Sequence, residues 1–477
     1  MRLFFALLWL VFLAEARPQA SKPLLLAHVS LIDVSTGETR PEMTVIISDG
    51  RIKGIYSSAT TQIPEGARVV EAKGKFLIPG LWDMHVHVFN QISRRPPNAW
   101  HFPILIANGV TSIREMWTKP ENMPQVREWR RLQLEGTLIA PRIAAVGTLV
   151  DGPAGTETTN MSAALPGPTA NVVTTPEEAR RFVREVKAAR IDFVKTYSSL
   201  SREDYLAIAD EAKKQGIPFA GHVPFAVDAA EASSAGQRSM EHLNQILESS
   251  SSRSQELFQV PGRDWSDKYD KLMLDSFDEG RFKNLVSILA RNQTWQVPTL
   301  SAKRAGPMDN EATSGADNRL RYVPADEIAN WKRSLPDRGH DNDMSIRPRL
   351  WQKQLEVVRR MHQAGVPFLA GTDLGNAYIY PGFSLHDELA LLVEAGFTPL
   401  EALKAATRNP AEFLGLLDSL GTVEKGKIAD LVLLTADPLK DIRNTQKIEA
   451  VVVNGRFLDR EELDKLLAQA EANAKKN

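Results

Sequence analysis

The chain has 477 residues, with 58 basic and 59 acidic side chains and a formal net charge of −1. It contains no long basic run, so its composition argues against nucleic-acid binding and favours a small-molecule partner. It contains no cysteine, which excludes disulfide bonds, a thiolate nucleophile and a thiolate metal site. The length accommodates one large domain and a smaller accessory domain.

The first residues have the pattern of an export signal. Met1-Arg2 is followed by an apolar run over residues 3–13 and by Ala14-Glu15-Ala16, an Ala-x-Ala cleavage site. The run is shorter than the ~20 residues of a membrane-spanning helix. We therefore expect a signal peptide over residues 1–16, a mature chain exported to the periplasm or the medium, and no membrane contact after cleavage. An uncleaved anchor is the alternative.

Both ends of the mature chain show short strand patterns. Residues 17–79 contain apolar runs separated by turn residues, and Asp49-Gly50 is a strong hairpin signal. Residues 418–460 return to this pattern, with Asn454-Gly455 as a second hairpin signal. We predict one small β-sandwich domain built from both ends, followed by an exposed helix and tail over residues 461–477. The predicted strands are 24–34, 43–48, 51–56, 68–71, 421–434 and 448–457.

Residues 80–417 alternate helix-length amphipathic stretches with short apolar strands. The recurring unit is a helix, a glycine at its end, a short strand, and a polar residue at the carboxyl end of the strand. Eight such strands predict a closed (β/α)8 TIM-type barrel, with a doubly wound open sheet as the alternative. The predicted barrel strands are 78–88, 109–114, 141–149, 191–197, 216–222, 236–242, 294–300 and 365–373.

Three connections are long and lack a repeating pattern. In a barrel, residues 151–175, 248–279 and 301–347 follow strands on the catalytic face, where long insertions usually form lids or substrate walls. The alternative is that these connections are solvent-exposed insertions with no role at the catalytic face.

The strand over residues 78–88 carries two histidines separated by one valine. On a strand, residues two apart point to the same side, so His85 and His87 converge on one volume. Paired neutral imidazoles suit a divalent metal such as zinc. A buried strand that happens to hold two histidines is the alternative.

Four further polar residues stand at the ends of predicted barrel strands. All strand carboxyl ends of a barrel open onto one face, so these residues and the histidine pair are expected to surround one pocket. Six candidate ligands are too many for one tetrahedral ion and suit two. Each residue alone has an ordinary structural explanation, such as a hydrogen-bonded core histidine or a helix cap. The four residues are Lys195, His222, His242 and Asp373.

Lys195 is unusual at such a position. An unpaired ammonium group inside a barrel is unfavourable, and two neighbouring cations would repel it. We expect Lys195 to be neutral, paired with an acid, or converted by carbon dioxide into a carbamate that can bridge two metals.

These motifs resemble the amidohydrolase superfamily, in particular its imidazolonepropionase-related and prolidase-like branch. The resemblance rests on Asp-Met-His-Val-His, on the four strand-end residues, and on the trailing Gly-Thr-Val-Glu-Lys-Gly-Lys-Ile-Ala-Asp-Leu-Val. It implies a (β/α)8 barrel with a β-sandwich domain. It also implies that His85 and His87 hold the more buried metal, that His222 and His242 hold the more exposed one, that carboxylated Lys195 bridges them, and that Asp373 completes the site.

The expected chemistry is hydrolysis of an amide or peptide bond. Two divalent ions about 3.5–4 Å apart, zinc by default, lower the pKa of a shared water. Asp373 can orient the bridging hydroxide and carry its proton to the leaving nitrogen. One alternative is a mononuclear cyclic amidohydrolase or deaminase in which Lys195 stays an amine. A more remote alternative is a catalytically silent ligand-binding barrel.

The substrate is expected to be a dipeptide or an N-acyl amino acid, and homo-oligomer formation stays open. The loop over residues 196–199 lacks the glycine-rich run of well-described prolidase-like relatives, which weakens a direct transfer of their substrates. Tyr197, His386 and Arg114 are candidate contacts for a substrate carboxylate, although packing or surface pairing explains each of them equally well.

Overall fold

The computed structural model describes residues 22–89, 100–153, 171–259, 267–305, 317–334 and 345–476. The predicted signal peptide, residues 1–16, lies outside these ranges, as does most of the predicted loop 151–175. Within the described ranges, no helix combines the length and the apolar character that crossing a membrane requires.

The predicted accessory domain is one sheet made from both ends of the described chain. Its strand order is β16-β15-β14-β5-β1-β2-β3, and β4 pairs with β1. The pairing of β14 with β5 joins the two ends, as Leu431 stands opposite Pro79. The strands are β1 (Leu24–Ile32), β2 (Thr39–Ser48), β3 (Arg51–Ser57), β4 (Arg68–Glu71), β5 (Phe76–Pro79), β14 (Leu431–Leu434), β15 (Ile448–Val453) and β16 (Arg456–Leu458).

Both predicted hairpin turns are present in this sheet. Asp49 and Gly50 connect β2 to β3 with φ angles of 53° and 71°, and Asn454 and Gly455 connect β15 to β16 with 49° and 80°. Two successive positive φ angles match the turn type whose twist suits a two-residue hairpin. The C-terminal strand region is shorter than predicted, because only residues 431–434 of the predicted 421–434 are extended.

The predicted parallel barrel is also confirmed. Seven strands run in the order β13-β12-β11-β10-β8-β7-β6, with the short β9 beside β8. The eighth place is taken by residues 366–374, which form single bridges to both edges, Phe368 to Gln296 and Leu374 to Val86. The strands are β6 (Leu81–Val86), β7 (Val110–Glu115), β8 (Arg142–Asp151), β9 (Asn171–Val172), β10 (Phe193–Thr196), β11 (Phe219–Gly221), β12 (Ser239–Glu241) and β13 (Trp295–Val297).

The histidine-bearing strand differs from the prediction. The predicted single strand 78–88 is two strands, β5 in the accessory sheet and β6 in the barrel, with Gly80 between them. A Cβ atom on Gly80 would lie 2.0 Å from Thr111 Oγ1, so only glycine allows the chain to pass this close to β7. His85 lies on β6, and His87 is the first residue after the end of this strand.

Helices surround the barrel strands and also occupy parts of two predicted loops. Short 3-10 helices cover residues 58–60, 120–122, 318–322 and 442–446. The α-helices are α1 (His101–Ala107), α2 (Met123–Leu134), α3 (Pro176–Ala188), α4 (Arg202–Gln215), α5 (Ala229–Ser234), α6 (Ile246–Ser249), α7 (Ser254–Phe258), α8 (Asp267–Asp275), α9 (Glu279–Arg291), α10 (Leu300–Arg304), α11 (Ala325–Ser334), α12 (Ile346–Gln363), α13 (Phe383–Glu394), α14 (Pro399–Ala405), α15 (Arg408–Phe413) and α16 (Arg460–Lys475).

The C-terminal helix is packed rather than exposed. Asp459 and Glu462 form a capping box at the start of α16, and Leu463, Ala470 and Ala474 are buried. The helix packs against α1. The prediction of a helix was therefore correct, but one of its faces belongs to the core.

Candidate metal centre

The six predicted ligands all lie at the carboxyl end of the barrel, and we call them the ligand cluster. They come from five different strand positions, which is the arrangement that the barrel interpretation required. They are His85 on β6, His87 just after it, Lys195 on β10, His222 after β11, His242 after β12, and Asp373 in the segment that closes the barrel.

Asp373 is the centre of the ligand cluster. Its Oδ1 lies 3.0 Å from His87 Nε2 and 3.3 Å from His85 Nε2, and its Oδ2 lies 3.7 Å from His242 Nδ1. Lys195 Nζ lies 3.3 Å from the same His85 Nε2. Ligand atoms of His85, His242 and Asp373 all fall within 4.8 Å of one another.

These separations suit a divalent cation. A tetrahedral site with metal–ligand distances of about 2.0–2.1 Å has neighbouring ligand atoms about 3.3 Å apart. The protonation pattern agrees, because Glu241 accepts the Nδ1 proton of His85 at 2.7 Å. The Nε2 of neutral His85 therefore presents a lone pair to a carboxylate oxygen, and a cation between these two acceptors makes the arrangement favourable.

Burial keeps the imidazoles available as ligands. It lowers the pKa of His85, His222 and His242 well below the ordinary value, and Lys195 adds to the effect at each of them. Although burial opposes ionisation, the adjacent His242 and His85 rings hold the pKa of Asp373 well below its ordinary value. The ligand cluster therefore combines neutral imidazoles with an ionised carboxylate, the protonation states that metal binding needs.

The backbone is unusual at two of these ligands. His242 and Asp373 have φ angles of 61° and 65°, and Thr299, whose Oγ1 lies 2.8 Å from His242 Nδ1, has 47°. Asp and His adopt this left-handed region several-fold more often than other residues, whereas the β-branched Thr299 is an outlier there. Such strain is concentrated at functional sites in many proteins, where the surrounding structure maintains it.

His222 and Tyr197 form one side of the ligand cluster. The two rings are 4.2 Å apart, and the His222 ring is 4.8 Å from that of His242. Ser198 Oγ lies 2.7 Å from His222 Nδ1, and Trp117 lies 6.4 Å from Tyr197. The structure thus places Tyr197 beside the ligand cluster, as its proposed role in substrate binding requires.

Two other candidate substrate residues lie elsewhere. Both ring nitrogens of His386 are engaged, Nδ1 2.9 Å from Thr445 Oγ1 and Nε2 3.1 Å from the Asn108 carbonyl oxygen. Asn108 precedes β7, so His386 lies toward the opposite end of the barrel. Arg114 is buried inside the barrel beside Glu241 rather than at the rim. The structure therefore corrects both placements.

Sequence reasoning missed a set of buried carboxylates that support the ligand cluster. Asp83 accepts hydrogen bonds from the His85 and Thr372 amides, at 3.2 and 3.0 Å. Glu115 accepts from the Val88 amide at 2.7 Å. Burial raises the pKa of Asp83 to about 7 and that of Glu115 to about 8. Asp83 belongs to the quoted Asp-Met-His-Val-His motif, which was the available signal for it.

Comparison with known proteins agrees with this geometry. The model of the Amidohydrolase family matches residues 76–458. A putative prolidase from Bifidobacterium longum superimposes with a TM-score of 0.66 and 25% identity, over 95% of this chain and all of that one.

Two curated relatives match shorter segments. An imidazolonepropionase of Vibrio vulnificus is 32% identical over 116 residues, 23% of this chain. An adenine deaminase of Paracoccus denitrificans is 40% identical over 57 residues, 12% of this chain. The matched segments span only 27% and 10% of those two relatives.

Proposed function

The chain belongs to the amidohydrolase family, and from this premise we propose that it is a metal-dependent hydrolase of a carbon–nitrogen bond, with two divalent ions in the ligand cluster. One observation carries the proposal: the lone pair of His85 Nε2 and a carboxylate oxygen of Asp373 face each other at 3.3 Å. Two acceptors in this position call for a positive charge, which the Lys195 ammonium 3.3 Å from Nε2 can supply without metal and a bound ion would supply in its place.

The ligands divide between two positions. His85, His87 and Asp373 would hold the more buried ion, and His222 and His242 the more exposed one. Such ions, zinc by default, supply Lewis acidity and lower the pKa of a water molecule toward neutrality.

Lys195 would connect the two positions. It is 1% exposed, and its Nζ lies 3.3 Å from His85 Nε2. A charged ammonium group there would be repelled by both ions. We assign it a carbamate, formed when the uncharged amine adds carbon dioxide and releases one proton. The product would be an anion with two oxygens available as metal ligands.

Asp373 would move the proton. Its carboxylate already contacts three histidines at 3.0–3.7 Å, so it is positioned before any substrate arrives. It would accept the proton of the attacking water and deliver it to the leaving nitrogen, which breaks the carbon–nitrogen bond and releases a carboxylate and an amine.

We propose a dipeptide or an N-acyl amino acid as the substrate. The likeness to a putative prolidase over 95% of the chain supports this class, and Tyr197 beside His222 offers a ring and a hydroxyl group to it. The signal peptide predicted over residues 1–16 would direct this activity to the periplasm or the medium.

A mononuclear cyclic amidohydrolase or deaminase is the second candidate. The three residues His85, His242 and Asp373 could hold one ion by themselves. The similarity to an adenine deaminase over 57 residues also favours this reaction. In that case Lys195 remains an amine.

Metal content distinguishes the two candidates. Elemental analysis of protein purified without chelators is expected to give two equivalents of metal per chain, and intact mass under gentle conditions is expected to show carboxylated lysine. The same protein is then assayed on dipeptides, N-acyl amino acids, cyclic amides and adenine, before and after removal of the metal.

Paired histidine variants provide the control. His222→Asn should lose one equivalent, whereas His386→Asn should keep both, because His386 is buried (1% exposed) and hydrogen-bonded outside the ligand cluster. One equivalent in the wild type would favour the mononuclear candidate. Full hydrolysis by metal-free protein would overturn the proposal.

A further inference from the structure

A buried ion pair crosses the barrel interior in contact with the ligand cluster. Arg114 is on β7 and Glu241 on β12, four places apart in the strand order and therefore on opposite sides of the barrel. The side chains are 1% and 0% exposed. Guanidinium NH2 donates to both carboxylate oxygens of Glu241, at 3.0 and 3.1 Å.

Arg114 is fixed by further contacts. Its Nε donates to the Met84 carbonyl oxygen at 2.6 Å, and NH1 donates to Ser239 Oγ at 3.0 Å. Phe413 lies 5.2 Å from the guanidinium carbon. The guanidinium therefore bonds to the residue before His85 on one side of the barrel and to β12 on the other, so its position relative to His85 is determined.

Glu241 connects Arg114 to the predicted metal ligand His85. Its Oε2 accepts the Nδ1 proton of His85 at 2.7 Å, while Oε1 accepts from Ser239 Oγ at 2.5 Å. Arg114 NH2 and Ser239 Oγ donate to the same carboxylate, and a carboxylate oxygen can only accept at its contact with Nδ1. Nδ1 of His85 must therefore carry the proton, and Nε2 must carry the lone pair.

We propose that Glu241, held by Arg114, is a positioning residue for metal binding. It fixes the tautomer and ring orientation of His85, so that Nε2 faces the metal before the metal arrives. This inference rests on the proposed function, because it concerns how tightly the same ligand cluster holds its ion. A role in general stability is a weaker explanation, since buried ion pairs contribute little net stability compared with apolar packing.

The test is the affinity for Zn²⁺, measured by competition with a chromogenic chelator on the full chain after removal of the metal. Glu241→Gln keeps the shape of the side chain but can no longer accept at both oxygens. We expect its affinity to fall by about 10- to 100-fold, the usual effect of removing a ligand's hydrogen-bond partner. The double variant R114M/E241Q removes both charges together, so it avoids an unpaired buried cation and should show the same loss.

A second arginine–carboxylate pair gives the matched control. Asp430 accepts from Arg142 at 3.2 and 3.3 Å and from the Asn454 amide at 2.6 Å, and it is 5% exposed. Arg142 begins β8, at the other end of the barrel from the ligand cluster. Asp430→Asn should lower the melting temperature but leave Zn²⁺ affinity within about twofold of the wild type, well below the loss expected at Glu241.

The outcomes separate the two proposals. Loss of affinity in E241Q and in the double variant, with D430N unchanged, supports the positioning role. Unchanged affinity in either folded Glu241 variant overturns it and leaves the proposed function intact. Wild-type protein that takes up no Zn²⁺ would instead refute the proposed function, and the positioning role with it.

Discussion

The accessory sheet and the carboxyl end of the barrel use buried space in opposite ways. The interior of the sheet is apolar, with residues such as Leu26, Val29 and Leu31 at 1% exposure or less. The barrel end buries His85 and Glu241 completely. Burial of apolar side chains stabilises the folded state, whereas burial of ionisable groups is unfavourable unless each has a partner. The sheet thus contributes stability, and the barrel end uses buried polar groups for function.

The largest expected effect is a loss of turnover caused by a substitution at the carboxyl end of the barrel. Asp373→Asn removes the proton acceptor but suits the backbone, because Asn tolerates a φ of 65° as Asp does. We expect kcat to fall by about 10²- to 10⁴-fold, the usual contribution of a general acid–base group. Steady-state kinetics on the best substrate measures it, and circular dichroism checks the fold. Near-normal turnover would remove Asp373 as the proton carrier.

The second prediction concerns the stability that the accessory sheet contributes. Leu31→Ala deletes a side chain that is 1% exposed in the accessory sheet, and this should lower the free energy of unfolding by about 2–5 kcal/mol. Denaturant unfolding measures the loss. Metal content and kcat of the folded protein should stay at wild-type values. A loss of bound metal would mean that the two regions are not functionally separate.

The smallest expected effect concerns pH. Burial raises the pKa of Glu388 from 4.5 to about 7, and its carboxylate accepts from the Leu300 and Ser301 amides. Because the folded state holds this proton more tightly, the free energy of unfolding should decrease as pH rises from about 4.5 to about 7, by on the order of 3 kcal/mol. Above this window the contribution is constant.

Glu388→Gln should remove this part of the pH dependence. Denaturant unfolding at several pH values between 4.5 and 7.5 gives the slope for each protein. The control Glu185→Gln changes an exposed residue of α3 and should keep the wild-type slope. Identical slopes in wild type and Glu388→Gln would contradict the assignment.

The sequence predicted the ligand cluster because four of its members end strands of a repeating unit and the other two, His85 and His87, are two residues apart on one strand. The topology alone then brings them together. Glu241 and Glu388 could not be found in this way, because their partners are distant in the chain: Glu241 is 156 residues from His85, and Glu388 is 88 from Leu300. Their hydrogen bonds exist only after the barrel closes.

The two misplaced residues have a similar explanation. His386 lies on a helix, and nothing in its neighbourhood in the sequence indicates that Thr445 and Asn108 bind its ring. Arg114 ends the predicted strand 109–114, but its long side chain reaches inward across the barrel to Glu241. The division of the predicted strand at Gly80 could not be predicted from the sequence either, because the apolar pattern continues on both sides of this glycine.

The pairing of β5 with β14 has a consequence for synthesis of the chain. β5 emerges from the ribosome early, yet its partner at one edge, residues 431–434, is translated only after the whole barrel. During that interval β5 presents an open edge, which neighbouring nascent chains can pair with. Since β6, which carries His85, follows β5 after a single residue, the sheet beside this strand is completed only near the end of translation.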